Sequence, residues 1–335
     1  MSKEFTELVK VSVIIIAYNV DKYIEKCINS VINQTLNELE VIIVNDGSTD
    51  STLDKINNAK INDNRFIVIN QSNAGVMEAR KSGLNIAKGE YILFIDGDDW
   101  IEKEYIEKLY LQTQNEKYDI LLFNAFSVEN NIKKVMQTFN STITDKIKSQ
   151  PLKYLLLGEV LPTIWSKFIR RDFINSNIKL PSNISYAEDL ATVASLFMEN
   201  PKIGFLNESL YNYYYRDSSI SRKMSDKVLD IDKAIDFIEK RLNEKELYNR
   251  YKLEYEKMVC RQLLISRILR ERKLYPQRKK VYDQYKKRKI NIVNNKYIYD
   301  ELNYGNFNIR TRVQLYNINY NLGTAYDLLR GFIKV

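Results

Sequence analysis

Three carboxylates stand within four positions at Asp96-Gly97-Asp98-Asp99, directly after the apolar run Tyr91-Ile92-Leu93-Phe94-Ile95. Carboxylates this close repel one another unless a cation or hydrogen-bond donors compensate them. Their hard oxygens suit Mg²⁺ or Mn²⁺, and Mg²⁺ in particular is held by one or two carboxylates together with substrate phosphates. Gly97 allows a tight turn or a close ligand approach. A short continuous apolar run reads as a strand buried on both faces, and open α/β sheets bind ligands beyond the carboxyl ends of their strands. The pattern therefore describes a metal–diphosphate site at a strand end. An Asp-Gly turn with solvated acids is written in the same letters, so the surrounding sequence has to decide.

The elements that would position these acids alternate in type. Val11 to Ala17 is a buried strand, followed by a turn at Tyr18-Asn19 and a helix-period segment from Val20 to Gln34. Val41 to Val44 is a second strand, ending at Asn45-Asp46-Gly47-Ser48-Thr49-Asp50, where Ser48 or Thr49 is placed to cap a helix over 51–60. Phe66 to Ile69 is a third strand, Val76 to Lys88 a helix closed by Gly89, and Tyr91 to Ile95 the fourth strand. Strands alternating with helices of this length imply βαβ units and a parallel sheet. Beyond Trp100 the sequence predicts a helix over 102–114, a strand over 120–126, and a polar loop or edge hairpin over 129–148. Segments 154–157, 164–169 and 189–198 read as helical, and the chain is helix-rich from about Ser225. A boundary near residue 222 separates an α/β domain, residues 1–222, from a helical basic region, 223–335.

Composition narrows the chemistry. The 335 residues contain no His and two Cys, Cys27 and Cys260. A His general base, Ser-His or Cys-His nucleophiles and His-ligated zinc are thereby excluded, so acid–base work falls to Asp, Glu, Lys, Tyr or Cys. The cysteines read as reduced thiols of a cytosolic protein. No window approaches the roughly 20 apolar residues of a spanning helix, and residues 1–10 lack a signal-peptide core. The net charge is +8. Between Arg261 and Lys289 twelve Lys or Arg face two acids, a bias that suits phosphates, an anionic membrane or a solvated helix face.

The order of motifs is more specific than any one of them. Val13-Ile14-Ile15-Ile16-Ala17-Tyr18-Asn19, Val44-Asn45-Asp46-Gly47-Ser48-Thr49-Asp50, Asn73-Ala74-Gly75 with Arg80, and Gly89-Glu90 leading into Asp96-Gly97-Asp98-Asp99 follow one another. Over roughly residues 10–110 this resembles the inverting nucleotide-sugar glycosyltransferases of glycosyltransferase family 2. The likeness continues more loosely to 222 through Trp165-Ser166-Lys167, Glu188-Asp189 and Arg216 to Arg222. The resemblance implies a GT-A (Rossmann-like) fold, with a mostly parallel sheet flanked by helices, a nucleotide-binding half near 10–110 and an acceptor half near 111–222.

It also implies roles. Ala17, Tyr18 and Asn19 would hold the nucleotide base, Asp46 the uracil, and Asn73 and Arg80 the nucleotide, though Arg80 equally suits a helix-surface ion pair. Asp98 would be the direct ligand of Mn²⁺ or Mg²⁺. Asp96 would meet the ribose or a metal-bound water, and Asp99 would shape the donor-sugar pocket. Gly97 stands where many relatives carry Ser or another small residue. Asp189 would be the general base and Glu188 its support, at positions that also suit capping of a helix from Leu190. Arg216, Ser221 and Arg222 resemble a mobile loop over the diphosphate, and an edge strand with a polar turn fits the same residues. Trp165 and Lys167 would face the acceptor, with Trp165 equally suited to the core.

The expected function is metal-dependent single displacement from a UDP-sugar to a hydroxyl of a glycan or lipid-linked acceptor, in bacterial surface-polysaccharide or lipo-oligosaccharide synthesis. The expected location is cytoplasmic, with the basic C-terminal region against an anionic inner leaflet and no nucleic-acid partner. A sugar-nucleotide nucleotidyltransferase would share the carboxylates and Mg²⁺, but the N-terminus has no Gly-rich, Lys-containing phosphate loop. A nucleic-acid-binding protein would use the basic tail but leave the clustered acids without a purpose.

Overall fold

The structure is a computed structural model that describes residues 8–60, 63–176, 178–216, 226–269, 276–290, 292, 294–298 and 307–329. The chain divides into two compact units. The first holds residues 1–151, 160–183 and 195–217, and the second 152–159, 184–194 and 218–335. The second unit thus takes in two short segments from within the region that the sequence assigns to the first.

The first unit is built on a mixed sheet in the order β3-β2-β1-β4-β8-β6-β9-β5, with β7 paired to β6. The strands are β1 (Val11–Ala17), β2 (Leu39–Asp46), β3 (Phe66–Gln71), β4 (Tyr91–Asp96), β5 (Trp100–Ile101), β6 (Ile120–Glu129), β7 (Ile132–Met136), β8 (Lys167–Arg170) and β9 (Ile203–Tyr214). The first four strands run parallel, and every residue of β1 and β2 is buried. Strands covered on both faces need apolar residues at consecutive positions, which the runs Val11–Ala17 and Val41–Val44 supply. The second half of the sheet mixes directions: β6 is parallel to β9, while β4/β8, β6/β8, β6/β7 and β5/β9 are antiparallel.

One buried carboxylate fixes the amino ends of the central strands. Ser12 Oγ donates to Glu40 Oε1 at 2.6 Å, and the Lys88 and Gly89 N–H groups donate to the same oxygen at 2.5 and 3.3 Å. Glu40 thus ties β1, β2 and the entry to β4 into one register. Gly89 cannot be replaced there, because a Cβ would stand 2.4 Å from the Ser12 nitrogen.

Several local expectations are corrected. The segment 164–169 is not a helix: Ile164–Ser166 is a single 3₁₀ turn, and Phe168 and Ile169 pair with Leu93 and Ile92 of β4 and with Leu121 and Ile120 of β6. Two interior strands that need a partner between them outweigh the helical spacing of the apolar residues. The first helix, α1, runs Ile24–Ile32, shorter than the sequence predicts, and the turn before it is anchored by the Val20 and Asp21 N–H groups donating to Thr52 Oγ1 and Asp50 Oδ2. Asp50, rather than Ser48 or Thr49, caps α2 (Thr52–Lys60), accepting from the Thr52 N–H at 3.0 Å. The polar stretch after β6 forms the edge hairpin with β7.

The second unit is helical. Its described residues include helices Ile231–Glu244, Tyr248–Val259, Arg278–Lys287, Phe307–Ile318 and Tyr320–Leu329 and a π-helical segment Cys260–Leu269. Among the described residues no helix is long and apolar enough to cross a membrane. The last two helices are held by a buried charge. Asp327 is fully buried and meets Arg312 (Nε–Oδ1 2.6 Å), Arg278 (Nη2–Oδ2 3.1 Å) and the Tyr316 hydroxyl (2.7 Å). Two guanidiniums share this single carboxylate. Asp327→Asn would strand them and cost about 3–5 kcal/mol, read as faster amide exchange across 307–329 in the intact chain. Unchanged exchange there would contradict this account of the cluster.

Candidate nucleotide and metal site

The parallel half of the sheet brings three loops to one edge. β1 ends at Ala17, β2 at Asp46 and β4 at Asp96, and the register places Ile16 level with both Val44 and Asp96. The Gly97 N–H donates to the Ile16 carbonyl at 2.9 Å, and a Cβ on Gly97 would stand 2.9 Å from that oxygen. The close backbone approach that glycine permits is therefore made to β1.

The loops after β1 and β2 are latched together. Asn19, at φ 50°, donates its N–H to Ser48 Oγ (3.0 Å) and accepts from the Thr49 N–H through Oδ1 (2.8 Å). This explains why Ser48 and Thr49 do not cap α2. Tyr18 is exposed beside the latch, whereas Ala17 is fully buried and pairs with Asn45, so Ala17 sets the strand end and offers no side-chain surface.

Asp46 anchors the neighbouring loop. Its Oδ1 accepts from Gln71 Nε2 (2.8 Å) and the Ala74 N–H (2.9 Å), and its Oδ2 from the Gly75 N–H (2.9 Å). The residue is buried, and its carboxylate organises the loop 73–75. Asn73 closes the same loop with Nδ2 on the Asp46 carbonyl at 3.0 Å. Gly47, at φ 72°, makes room for it, since a Cβ there would lie 2.5 Å from the Asn73 nitrogen. Gln71, itself held by Ser82, is a member of the site that sequence reasoning missed.

The three acids after β4 point different ways. Asp96 is about a third exposed and lies 3.6 Å from Nη2 of the buried Arg80, so Arg80 is an interior cation beside the carboxylates rather than a helix-surface pair. Asp98 is paired with Arg216, Nε–Oδ2 2.6 Å, and burial raises its carboxyl above the usual range against the opposing pull of that guanidinium. The Arg216 guanidinium also lies 5.7 Å from the centre of the Tyr23 ring. Asp99 is 1% exposed and turned inward. Its Oδ2 accepts from the Tyr211 hydroxyl (2.6 Å) and its Oδ1 from the Tyr214 N–H (2.8 Å), tying β9 beneath the acids. The Tyr211 oxygen in turn accepts from the Asp96 N–H at 3.3 Å.

Trp165 and Lys167 are interior, and neither offers a surface to an acceptor. The Trp165 ring stacks on Tyr211 and Tyr213 with centroids 4.6 and 5.5 Å apart. The fully buried Lys167 ammonium donates to the Leu161 and Thr163 carbonyls and to Ser166 Oγ at 2.8, 2.7 and 3.0 Å, which uses all three protons. Residues 211–214 are the end of β9, in line with the strand reading of this cluster, and of Arg216 and Arg222 only Arg216 is described. Ser221 and Arg222 lie outside the described residues. In the second unit Glu188 and Asp189 open the helix Glu188–Met198, half-buried in its first turn. Ala187, immediately before them, holds φ 61°, a left-handed conformation that costs a non-glycine residue roughly 1–3 kcal/mol and occurs preferentially at functional positions.

Asp96 and Asp98 are hard-oxygen donors of the type Mn²⁺ and Mg²⁺ prefer. No cluster of three or more His, Cys, Asp or Glu suited to a metal occurs among the described residues. A cation held by Asp96 and Asp98 would take its remaining ligands from water and phosphate.

A mixed sheet, parallel through its first four strands and with paired acids at the end of the fourth, defines the class: a GT-A-type α/β domain. The family model for Glycosyl transferase family 2 matches residues 12–175. Glycosyltransferase GlyG of Streptococcus pneumoniae serotype 4 is 30% identical over 223 residues, 63% of this chain and 73% of GlyG. Putative glycosyltransferase EpsH of Bacillus subtilis is 34% identical over 224 residues, 66% of this chain, which spans 65% of EpsH, just under two thirds. The crystal structure of S. aureus TarS 1–349 in complex with UDP-GlcNAc shares the fold, with a TM-score of 0.67 and 23% identity over 82% of this chain and 79% of that one. The chain belongs to glycosyltransferase family 2.

Burial, with Asp98 and Asp96 alongside, holds the Asp99 carboxyl well above the usual carboxylate range despite its two donors. A carboxyl raised on folding stabilises the native state fully below its unfolded pKa of about 4 and loses that contribution as pH rises. Asp99→Asn keeps an acceptor for Tyr214 and removes the charge. Denaturant unfolding from about pH 4 upward should show a flatter loss of stability in this variant than in the wild type. Parallel pH profiles for the two would contradict the assignment.

Proposed function

We propose that this chain is a metal-dependent inverting glycosyltransferase. It moves a sugar from a UDP-sugar to a hydroxyl of a glycan or lipid-linked acceptor in bacterial surface-polysaccharide synthesis. The observation that carries the reading is the pair Asp96 and Asp98 at the end of β4, with Arg80 and Arg216 as their cations and the latched β1 and β2 loops beside them. The glycosyltransferase relatives support the reaction class, and the UDP-GlcNAc held by TarS supports the choice of nucleotide.

In the reaction the acceptor oxygen attacks the anomeric carbon and the bond from that carbon to the diphosphate oxygen breaks. The acceptor proton goes to a carboxylate, and UDP leaves with its added negative charge. Asp98, with Asp96, would hold the divalent cation, which offsets the charge developing on the diphosphate without proton transfer. Arg216 carries a second positive charge to the same place, and guanidinium pairs readily with phosphate oxygens. Tyr18 and Asn19 would flank the base, while Asp46 and Asn73 act by fixing the loop 73–75. Asp189 is assigned as the base by its place in the family's Glu-Asp pair, and in a chain without histidine a carboxylate is the expected proton acceptor. Glu188 supports it from the same helical turn.

A thermal-shift panel of UDP, GDP, CDP and dTDP, each with Mn²⁺ or EDTA, tests the donor side. UDP with Mn²⁺ should raise stability by about 2.7 kcal/mol at a hundredfold excess over Kd, and Asp98→Ala should abolish the shift. A response to no nucleotide would sink the reading. Arg216→Ala separates two roles for that guanidinium. Because Arg216 now neutralises Asp98, its removal should tighten Mn²⁺ binding in the absence of nucleotide and weaken UDP binding in its presence, both by calorimetry. Asp189→Asn should lower kcat by about 10²–10⁴-fold and leave the UDP–Mn²⁺ shift intact. Loss of stability with kcat preserved would reduce Asp189 to a helix cap.

A further inference from the structure

Arg216 stands at the head of a run of aromatic rings. Its guanidinium lies 5.7 Å from the centre of the Tyr23 ring. Tyr23 lies 5.4 Å from Tyr214, Tyr214 lies 6.0 Å from Trp100, and the Lys26 ammonium lies over the Trp100 ring. A cation thus stands at each end of three tilted rings. The face of an aromatic ring is electron-rich, and it attracts a guanidinium held within about 6 Å of its centre.

The rings are set by the backbone around them. Tyr214 is fixed by its N–H on Asp99 Oδ1 at 2.8 Å, and Trp100 by pairing with Asn212 in the β5–β9 ladder. The Tyr23 N–H donates to the Val20 carbonyl at 2.9 Å, and the Val20 N–H is itself held by Thr52 Oγ1 at 2.9 Å. Tyr23 therefore belongs to the anchored turn after β1, while Arg216 lies just beyond the end of β9. Their contact is where these two parts of the site meet, beside Asp98.

Arg216 needs a support of this kind. Its Nε lies 2.6 Å from Asp98 Oδ2, and its side chain is 22% exposed. A guanidinium that pairs with a carboxylate in the free protein and with phosphate oxygens in the complex must change partners without losing its place. A ring face meets that need, because it attracts the planar cation without using its N–H groups. We propose, on the assignment of Arg216 to the donor diphosphate, that Tyr23 is a positioning residue for the donor. Its ring holds the guanidinium at the strand end while the N–H groups pass from Asp98 to the diphosphate. The work is done by the ring and not by the hydroxyl.

Calorimetry of UDP with Mn²⁺ on the full chain tests this through a series at position 23. Tyr23→Phe keeps the ring face and should bind UDP within about twofold of wild type. Tyr23→pentafluorophenylalanine keeps the shape of that ring and reverses the charge of its face. It should weaken UDP binding by about fivefold relative to Tyr23→Phe, at unchanged thermal unfolding. In an Arg216→Ala background the fluorinated and ordinary rings should bind UDP alike, since their shared partner is gone. Equal UDP binding by the two rings with Arg216 present would overturn the proposal. So would a fluorine effect that persists in Arg216→Ala, because the ring would then act on something else. UDP binding that Arg216→Ala alone leaves unchanged would overturn it through its premise, the donor-side role of Arg216.

Discussion

Mutual repulsion among Asp96, Asp98 and Asp99 is the constraint around which the first unit is organised. Three carboxylates at the end of one strand cannot all face the same solvent-poor space unless each has its own compensation. The fold gives each one a separate partner. Asp99 turns inward and takes the Tyr211 hydroxyl and the Tyr214 N–H, Asp96 lies beside Arg80, and Asp98 takes Arg216. These partners come from a helix after β3 and from the far end of the sheet. The carboxylates thereby bind β9 to β4 and decide where the chain lies after residue 214. Of the three, one acid is turned inward and the other two lie beside guanidiniums at the strand end.

The same separation of tasks governs the neighbouring loops. Asp46 spends its oxygens on Gln71, Ala74 and Gly75, so the loop it fixes becomes the surface and the acid becomes its foundation. Asn19 latches Ser48 and Thr49 so that the ends of β1 and β2 move as one. A nucleotide meeting this edge would find preformed backbone, and pre-organised contact lowers the ordering cost of binding.

The parallel half of the fold was legible because strands covered on both faces announce themselves as unbroken apolar runs. The motif positions were legible because they fall at the ends of those runs. The second half was not. β8 is four residues long, and its Phe168 and Ile169 become strand only because β4 and β6 leave a gap for them. β9 carries Asn207, Glu208 and Ser209 through a register irregularity opposite Phe123 to Ala125, so its alternation is broken and its tyrosine-rich end suits a loop as well as a strand. Family resemblance places Trp165 and Lys167 at the acceptor, with Trp165 equally suited to the core. An interior lysine satisfied by two carbonyls and a hydroxyl has no signature apart from its tertiary setting.

Distance along the chain hid the logic of the second unit for a related reason. Asp327 is separated from Arg312 by 15 residues and from Arg278 by 49, so no local pattern shows that it points inward. Read alone, Tyr320 to Leu329 would be turned with its leucines to the core. The buried pair reverses that choice, because removing a charge from its partners costs more than leaving a few leucines in water. A fold that fixes a carboxylate inside thereby fixes an apolar face outside. In both units a buried acid is the foundation, and the surface available to a ligand follows from how that acid is satisfied.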